Sequence, residues 1–222
     1  MKEFSTLPFM FDHSGSTISD GANKVKLINY KGHQLVVKSY KQIKGLANLI
    51  YRFRRPKAFH AYKHALMLLD LGIPTPEPAG FVITYDLAGV PSKSFYIAEY
   101  SDWKPLSMFI DTEEGFDRDI VGRFAEFVAQ LHGKQVNIKD LDSSHVLVGE
   151  DGRFQLIHLE KVSFKRLKYN DRLKNLAQFS WKNRMAYEFF IEKYVEASAR
   201  LLPYTSNEVI STILKAYKKQ NK

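Results

Sequence analysis

A chain of 222 residues, 45% hydrophobic and 14% aromatic, is long enough to bury a good core, and its composition excludes intrinsic disorder. The absence of cysteine excludes disulfides and thiolate metal sites and fits a reducing compartment, and no apolar run approaches the roughly 20 residues that span a bilayer. The 33 basic and 24 acidic residues leave a net charge of +9. Such a field favours anionic partners such as nucleotide, phosphorylated glycolipid or a membrane surface, although an excess of this kind is more often a solvated face. The basic segments lack the interleaved aromatics of nucleic-acid modules, so no nucleic-acid partner is expected.

In chain order, MKEFSTLPFMFDHSG carries acidic and polar residues where a secretory signal would need an apolar run. The hydroxyl-rich stretch from Ser14 to Gly21 has glycines at Gly15 and Gly21 that could let backbone N–H groups approach phosphates, though it is not G-x-G-x-x-G. Residues 24–39 read as two strands around Lys31-Gly32. Lys38 closes an apolar run there, either as an edge residue snorkelling to water or as a phosphate-binding cation. Basic charge is densest from Lys38 and Lys41 through Arg52, Arg54, Arg55 and Lys57. Pro56 suits the first turn of a helix whose inward stripe is Ala58, Ala61, Ala65, Leu68 and Leu69, and which stops at Gly72. Strands follow at Gly80–Tyr85 and Ser94–Tyr100 around a Leu87–Pro91 turn. A second amphipathic helix is predicted over 113–132, with Phe116, Ile120, Phe124, Phe127, Val128 and Leu131 inward. From Leu173 the pattern is helical to a frayed basic tail, interrupted near Leu202-Pro203. The order predicts a two-lobed α+β chain: a β-rich lobe with one main helix over 1–101, then a reduced, mostly helical lobe over 102–222.

The stretch most like a working site is NIKDLDSSHVLVGEDGRFQLIHLEKVSF, residues 137–164. A turn at Gly149–Gly152 would pair Val148 with Arg153, His145 with Leu156 and Ser143 with His158. His145 and His158 then project to one side, ~7 Å apart along the strands, and Glu160 continues that face. Asp140 sits in the loop feeding the same end. A one-residue bulge would invert the arrangement. Any one of these residues alone reads as an ordinary hydrogen-bonded side chain, whereas four converging on one end read as a site.

Taken in order, the pieces resemble the protein-kinase-like fold, most specifically the bacterial lipopolysaccharide core kinases that phosphorylate heptose or Kdo sugars. The resemblance runs over roughly residues 14–180: a glycine-bearing loop, VVK, RPKAFHAYKHALMLLDLGIPTPEP, SFYIAEY, LHGKQVNIKDLDSSHVLV and FQLIHLEKVSF. It implies that Lys38 holds ATP phosphates, that Gly15 and Gly21 flank a phosphate-covering loop, and that Ser101 and Asp102 form the hinge facing adenine. Asp140 would accept the proton of the sugar hydroxyl, in a reaction that depends mainly on positioning and charge neutralisation. His145, His158 and Glu160 would stand at the Mg²⁺ or Mn²⁺ positions.

The chain departs from the family pattern at several points. His158-Leu159-Glu160 stands where heptose kinases read Asp-x-His, although magnesium prefers hard oxygen ligands. Ala61 takes the place of the helix glutamate expected to pair with Lys38, and Ile138 that of the histidine two before Asp140. The resemblance thus implies an ATP-dependent phosphotransferase acting on a sugar hydroxyl of the lipopolysaccharide inner core. Its place would be cytoplasmic, with peripheral contact at the inner membrane. The alternative is a catalytically impaired pseudokinase serving as a binding or regulatory module.

Overall fold

The structure, a computed structural model, describes residues 4–21, 23–41, 55–87, 89–110, 112, 115–139, 141–179, 181–199 and 206–220. The chain divides into two compact units, Met1–Asp102 and Trp103–Lys222.

In the first unit, alternating apolar runs form a five-stranded antiparallel sheet of order β1-β2-β3-β5-β4. The strands are β1 (Ser16–Asp20), β2 (Lys24–Tyr30), β3 (His33–Lys41), β4 (Pro78–Tyr85) and β5 (Pro91–Glu99). Lys31 and Gly32 join β2 to β3 with φ of 52° and 86°, the two-residue turn whose twist matches the strands. β4 and β5 start earlier than the sequence suggested, because proline is tolerated at the first position of a strand.

Period-two alternation gives the sheet two apolar faces. Leu35, Val37, Phe95 and Ile97 pack against Leu7 and Phe11 of helix α1 (Leu7–His13), a short helix the sequence reading did not anticipate. Helix α2 (Lys57–Asp70) serves the other face through Phe59 and Tyr62, whose rings lie 5.5 Å from that of Phe81 on β4. Its buried stripe is Ala58, Ala61, Ala65 and Leu68, while Leu69 is half-buried. Pro56 is the N-cap rather than a residue of the first turn. Past Gly72 the chain closes the helix, with Ile73 N donating to Leu68 O at 2.8 Å. Arg52 and Arg54 of the basic stretch lie outside the described residues.

The second unit is mostly helical, with α3 (Ser107–Ile110), α4 (Arg118–Gly133), α5 (Tyr169–Ala177), α6 (Arg184–Ala197) and α7 (Ser206–Gln220). Asp117 sets the start of α4 by accepting from Ile120 N at 3.0 Å, five residues later than the periodicity suggested. Phe116 therefore precedes the helix and packs its ring 5.6 Å from that of Phe189. The core is aromatic: Phe124 lies 5.5 Å from Phe190 and 5.4 Å from Phe154, and Trp181 lies 5.0 Å from Phe190. Two small sheets complete the unit. β6 (Lys104–Pro105), β8 (Val146–Val148) and β9 (Phe154–Leu156) form one, and β7 (Val136–Ile138) with β10 (Val162–Phe164) forms the other. The Leu202-Pro203 break lies outside the described residues.

Candidate functional site

The hairpin of β8 and β9 differs from the sequence expectation by one residue. Val148 pairs with Phe154 and Val146 with Leu156, because Gly149 N donates to Arg153 O at 2.9 Å and lengthens the turn. Ile157 N then donates to His145 O at 3.0 Å, so His145 lies opposite Ile157 rather than Leu156. A strict strand in this register would send His145 and His158 to opposite faces. They meet nonetheless, with ring centroids 3.9 Å apart, because both have left strand geometry. His145 ends a 3₁₀ turn, Ser143–His145, and His158 caps another, Leu159–Lys161.

Asp142 caps the first turn, its carboxylate accepting from Ser144 N at 2.8 Å and Ser144 Oγ at 2.7 Å, while Asp142 N donates to His145 Nδ1 at 3.4 Å. Glu160 lies within the second and pairs back to the residue that precedes it, Oε1 standing 3.1 Å from His158 Nε2. The Glu160 side chain is 8% exposed and that of His158 21%. The structure therefore brings together the three residues read as metal positions. Asp140 lies outside the described residues, between the flanking Lys139 and Leu141.

Beneath that loop is a network that sequence reading missed. Tyr194 on α6, His132 at the end of α4, Asn175 on α5 and the last residue of β7 form one directed chain. Asn175 Nδ2 donates to Ile138 O at 2.6 Å, which turns its Oδ1 toward His132 Nε2–H at 2.9 Å. His132 Nδ1 is left to accept from the Tyr194 hydroxyl at 2.8 Å. Burial, with the Arg172 charge also acting, pushes His132 down to about 4 against the opposing effect of its Asn175 bond. Burial pushes Tyr194 up to about 12. His132 is thus a neutral, fully committed imidazole holding the backbone two residues before Asp140. A histidine on the inward stripe of α4, beside Leu131, was the available signal.

In the first unit, Lys38 lies on β3, a central strand, so the edge-residue reading does not hold. It faces Val25 on β2 and Tyr96 on β5, which in turn faces Phe81, on the face that α2 covers. Its Nζ stands 5.4 Å from the centroid of the Tyr40 ring. Ala61 is fully buried on α2, so no carboxylate occupies that helix position. Gly21 lies in the β1–β2 turn with open space where a side chain would stand. Gly15 has a φ of 82° and an added Cβ would lie 2.6 Å from Leu27 O, so it turns the tight corner from α1 into β1. Ser101 and Asp102 follow β5 at the end of the first unit.

The family model described as lipopolysaccharide kinase (Kdo/WaaP) matches residues 27–197, from β2 to the end of α6. The chain belongs to the Kdo/WaaP lipopolysaccharide kinase family. Among solved structures, the Kdo/WaaP-family chain resembles WaaP in complex with acyl carrier protein, with 17% identity and a TM-score of 0.64, covering 98% of this chain and 93% of that one. That likeness shows the protein-kinase-like fold. No curated protein matches the chain.

A kinase family implies a nucleotide and a divalent metal, but the described donors do not make a magnesium site. They offer two imidazoles and one carboxylate where magnesium takes hard oxygens in an octahedron. His158 Nε2 and Glu160 Oε1 are bonded to each other. Acceptance from Asp142 N on Nδ1 leaves the neutral His145 ring with N–H at Nε2, a donor rather than a ligand. Among the described residues, no group of three His, Asp or Glu side chains is placed to hold a metal ion.

Proposed function

We propose that the protein is an ATP-dependent phosphotransferase acting on a sugar hydroxyl of the lipopolysaccharide inner core. The observation that carries this reading is the family match, which runs unbroken through both units. Lys38 supplies a fixed positive charge for the ATP phosphates, its strand held by a neighbour on each side. Gly21 leaves the β1–β2 turn open to them, and Ser101 and Asp102 meet the adenine. Asp140 orients the acceptor hydroxyl and takes its proton late, since the transferring group carries most of the developing charge. The reaction belongs on the cytoplasmic side. There the Lys41–Lys57 stretch would meet anionic lipid, each cation near the surface contributing about 1 kcal/mol. Among the described residues, no helix is long and apolar enough to cross a membrane.

The His158–Glu160 pair favours a second reading, a pseudokinase that binds nucleotide with little transfer. Thermal unfolding with ATP, alone and with Mg²⁺ or Mn²⁺, tests binding. ATP at 100 times its dissociation constant should stabilise by about 2.7 kcal/mol. Phosphate transfer to purified core oligosaccharide, reduced at least ~100-fold in Asp140→Asn, supports the enzyme. Protection without transfer supports the pseudokinase, and neither protection nor transfer overturns both readings.

A further inference from the structure

β7 and β10 pair antiparallel through Ile138–Val162, Asn137–Ser163 and Val136–Phe164. The contact continues one residue past each end, where Lys139 N donates to Lys161 O and Lys165 N to Gln135 O, both at 3.2 Å. Segments 134–139 and 161–168 contain Lys134, Lys139, Lys161, Lys165, Arg166 and Lys168, and no Asp or Glu. All six cations are exposed, while Val136, Ile138, Val162 and Leu167 among them are buried.

Sheet energetics disfavours this composition, since like charges directly opposed across two strands destabilise the pair. Lys139 and Lys161 are so opposed, at the end that runs into Asp140. The backbone is also pinned. Gln135, at φ 63°, accepts Leu167 N on its Oε1 at 2.6 Å, and Asp171 Oδ2 accepts Lys168 N at 3.1 Å. Fixed cations of one sign raise the local concentration of anions, and lysine serves phosphate as a compact point charge.

We propose that this ladder is an anion site for the acceptor. Lys139 and Lys161 hold a phosphate or carboxylate of the sugar whose hydroxyl meets Asp140, and Lys165 with Arg166 hold a second anionic group ~13 Å along the strands. This rests on the phosphotransferase reading and gives it a substrate class: an acceptor already bearing anionic groups, so the step that installs them precedes this one.

Calorimetric titration of purified core oligosaccharide, native and stripped of its anions by phosphatase and carboxyl reduction, tests the site. The native form should bind the wild type about tenfold tighter than it binds Lys139→Gln/Lys161→Gln. Stripping should weaken the wild type by a similar factor and leave the variant within about twofold. Lys193→Gln/Lys215→Gln, which removes two charges elsewhere, should bind like the wild type. Equal binding of native and stripped forms by the wild type overturns the site, as does native binding that the Lys139/Lys161 change leaves intact. Loss confined to phosphatidylglycerol vesicles, with oligosaccharide binding retained, also overturns it in favour of a lipid surface. ATP protection of the wild type is read separately. If it and phosphate transfer are both absent while lysine-dependent oligosaccharide binding persists, the phosphotransferase reading fails and the anion site stands.

Discussion

The floor and the wall of the loop around Asp140 use histidine in opposite ways. In the floor, His132 is buried, and both ring nitrogens are committed in a directed chain from Tyr194 through Asn175 to the Ile138 carbonyl. In the wall, His158 is 21% exposed in its side chain, lies tilted at 47° against the His145 ring and bonds the carboxylate of Glu160. Burial decides the difference. A buried imidazole must be neutral and fully hydrogen-bonded, which makes it a structural part. A partly exposed one beside a carboxylate can exchange partners with water or a ligand. Histidines that looked alike in the sequence thus divide into an anchor and a candidate site.

The most damaging change to this contrast should be Asn175→Ala, which leaves the His132 Nε2–H and the Ile138 carbonyl without their partner in a buried place. A loss of about 4 kcal/mol in urea unfolding is expected, and a loss below 1 kcal/mol would show that the floor is not the rigid part. Next is acid. Unfolded histidine protonates near pH 6.5, but folded His132 does so only near about 4. Between those values the unfolded state binds more protons, so stability falls as pH falls. About 3 kcal/mol should be gone by pH 4. Urea midpoints measured across that window should slope in the wild type and flatten in His132→Asn. Smallest is Glu160→Gln in the wall, expected to cost about 1 kcal/mol, because the isosteric amide keeps an acceptor oxygen for His158 Nε2. It should also leave the effect of Mg²⁺ on ATP protection unchanged, because Glu160 and the two imidazoles beside it do not make a magnesium site. A loss of metal-dependent protection in Glu160→Gln would instead make Glu160 a metal ligand and erase the contrast.

Much of the fold was legible because its signals are local. The Lys31-Gly32 turn, the alanine stripe of α2 and the strand alternation each follow from a few neighbouring residues. Helix α1 escaped notice because seven residues with two anchors, Leu7 and Phe11, make too short a pattern to see. At the site, the meeting of His145 and His158 was anticipated, although from a register one residue in error. No periodicity encodes the 3₁₀ turns that bring them together, the first of which is capped by Asp142. The need for glycine at position 15 was not legible, because sequence shows flexibility but not the Leu27 carbonyl pressed against it.

By itself the sequence determined the kind of strand and helix each segment would become, and which family the chain belongs to, since both follow from short-range spacing and residue order. Only the tertiary structure decided that Lys38 would stand on a central strand, that His132 would be an anchor, and that two basic segments would lie side by side across β7 and β10. Those facts depend on which distant segments pair and what they bury, and pairing is set by the packing of the whole unit rather than by any stretch read alone.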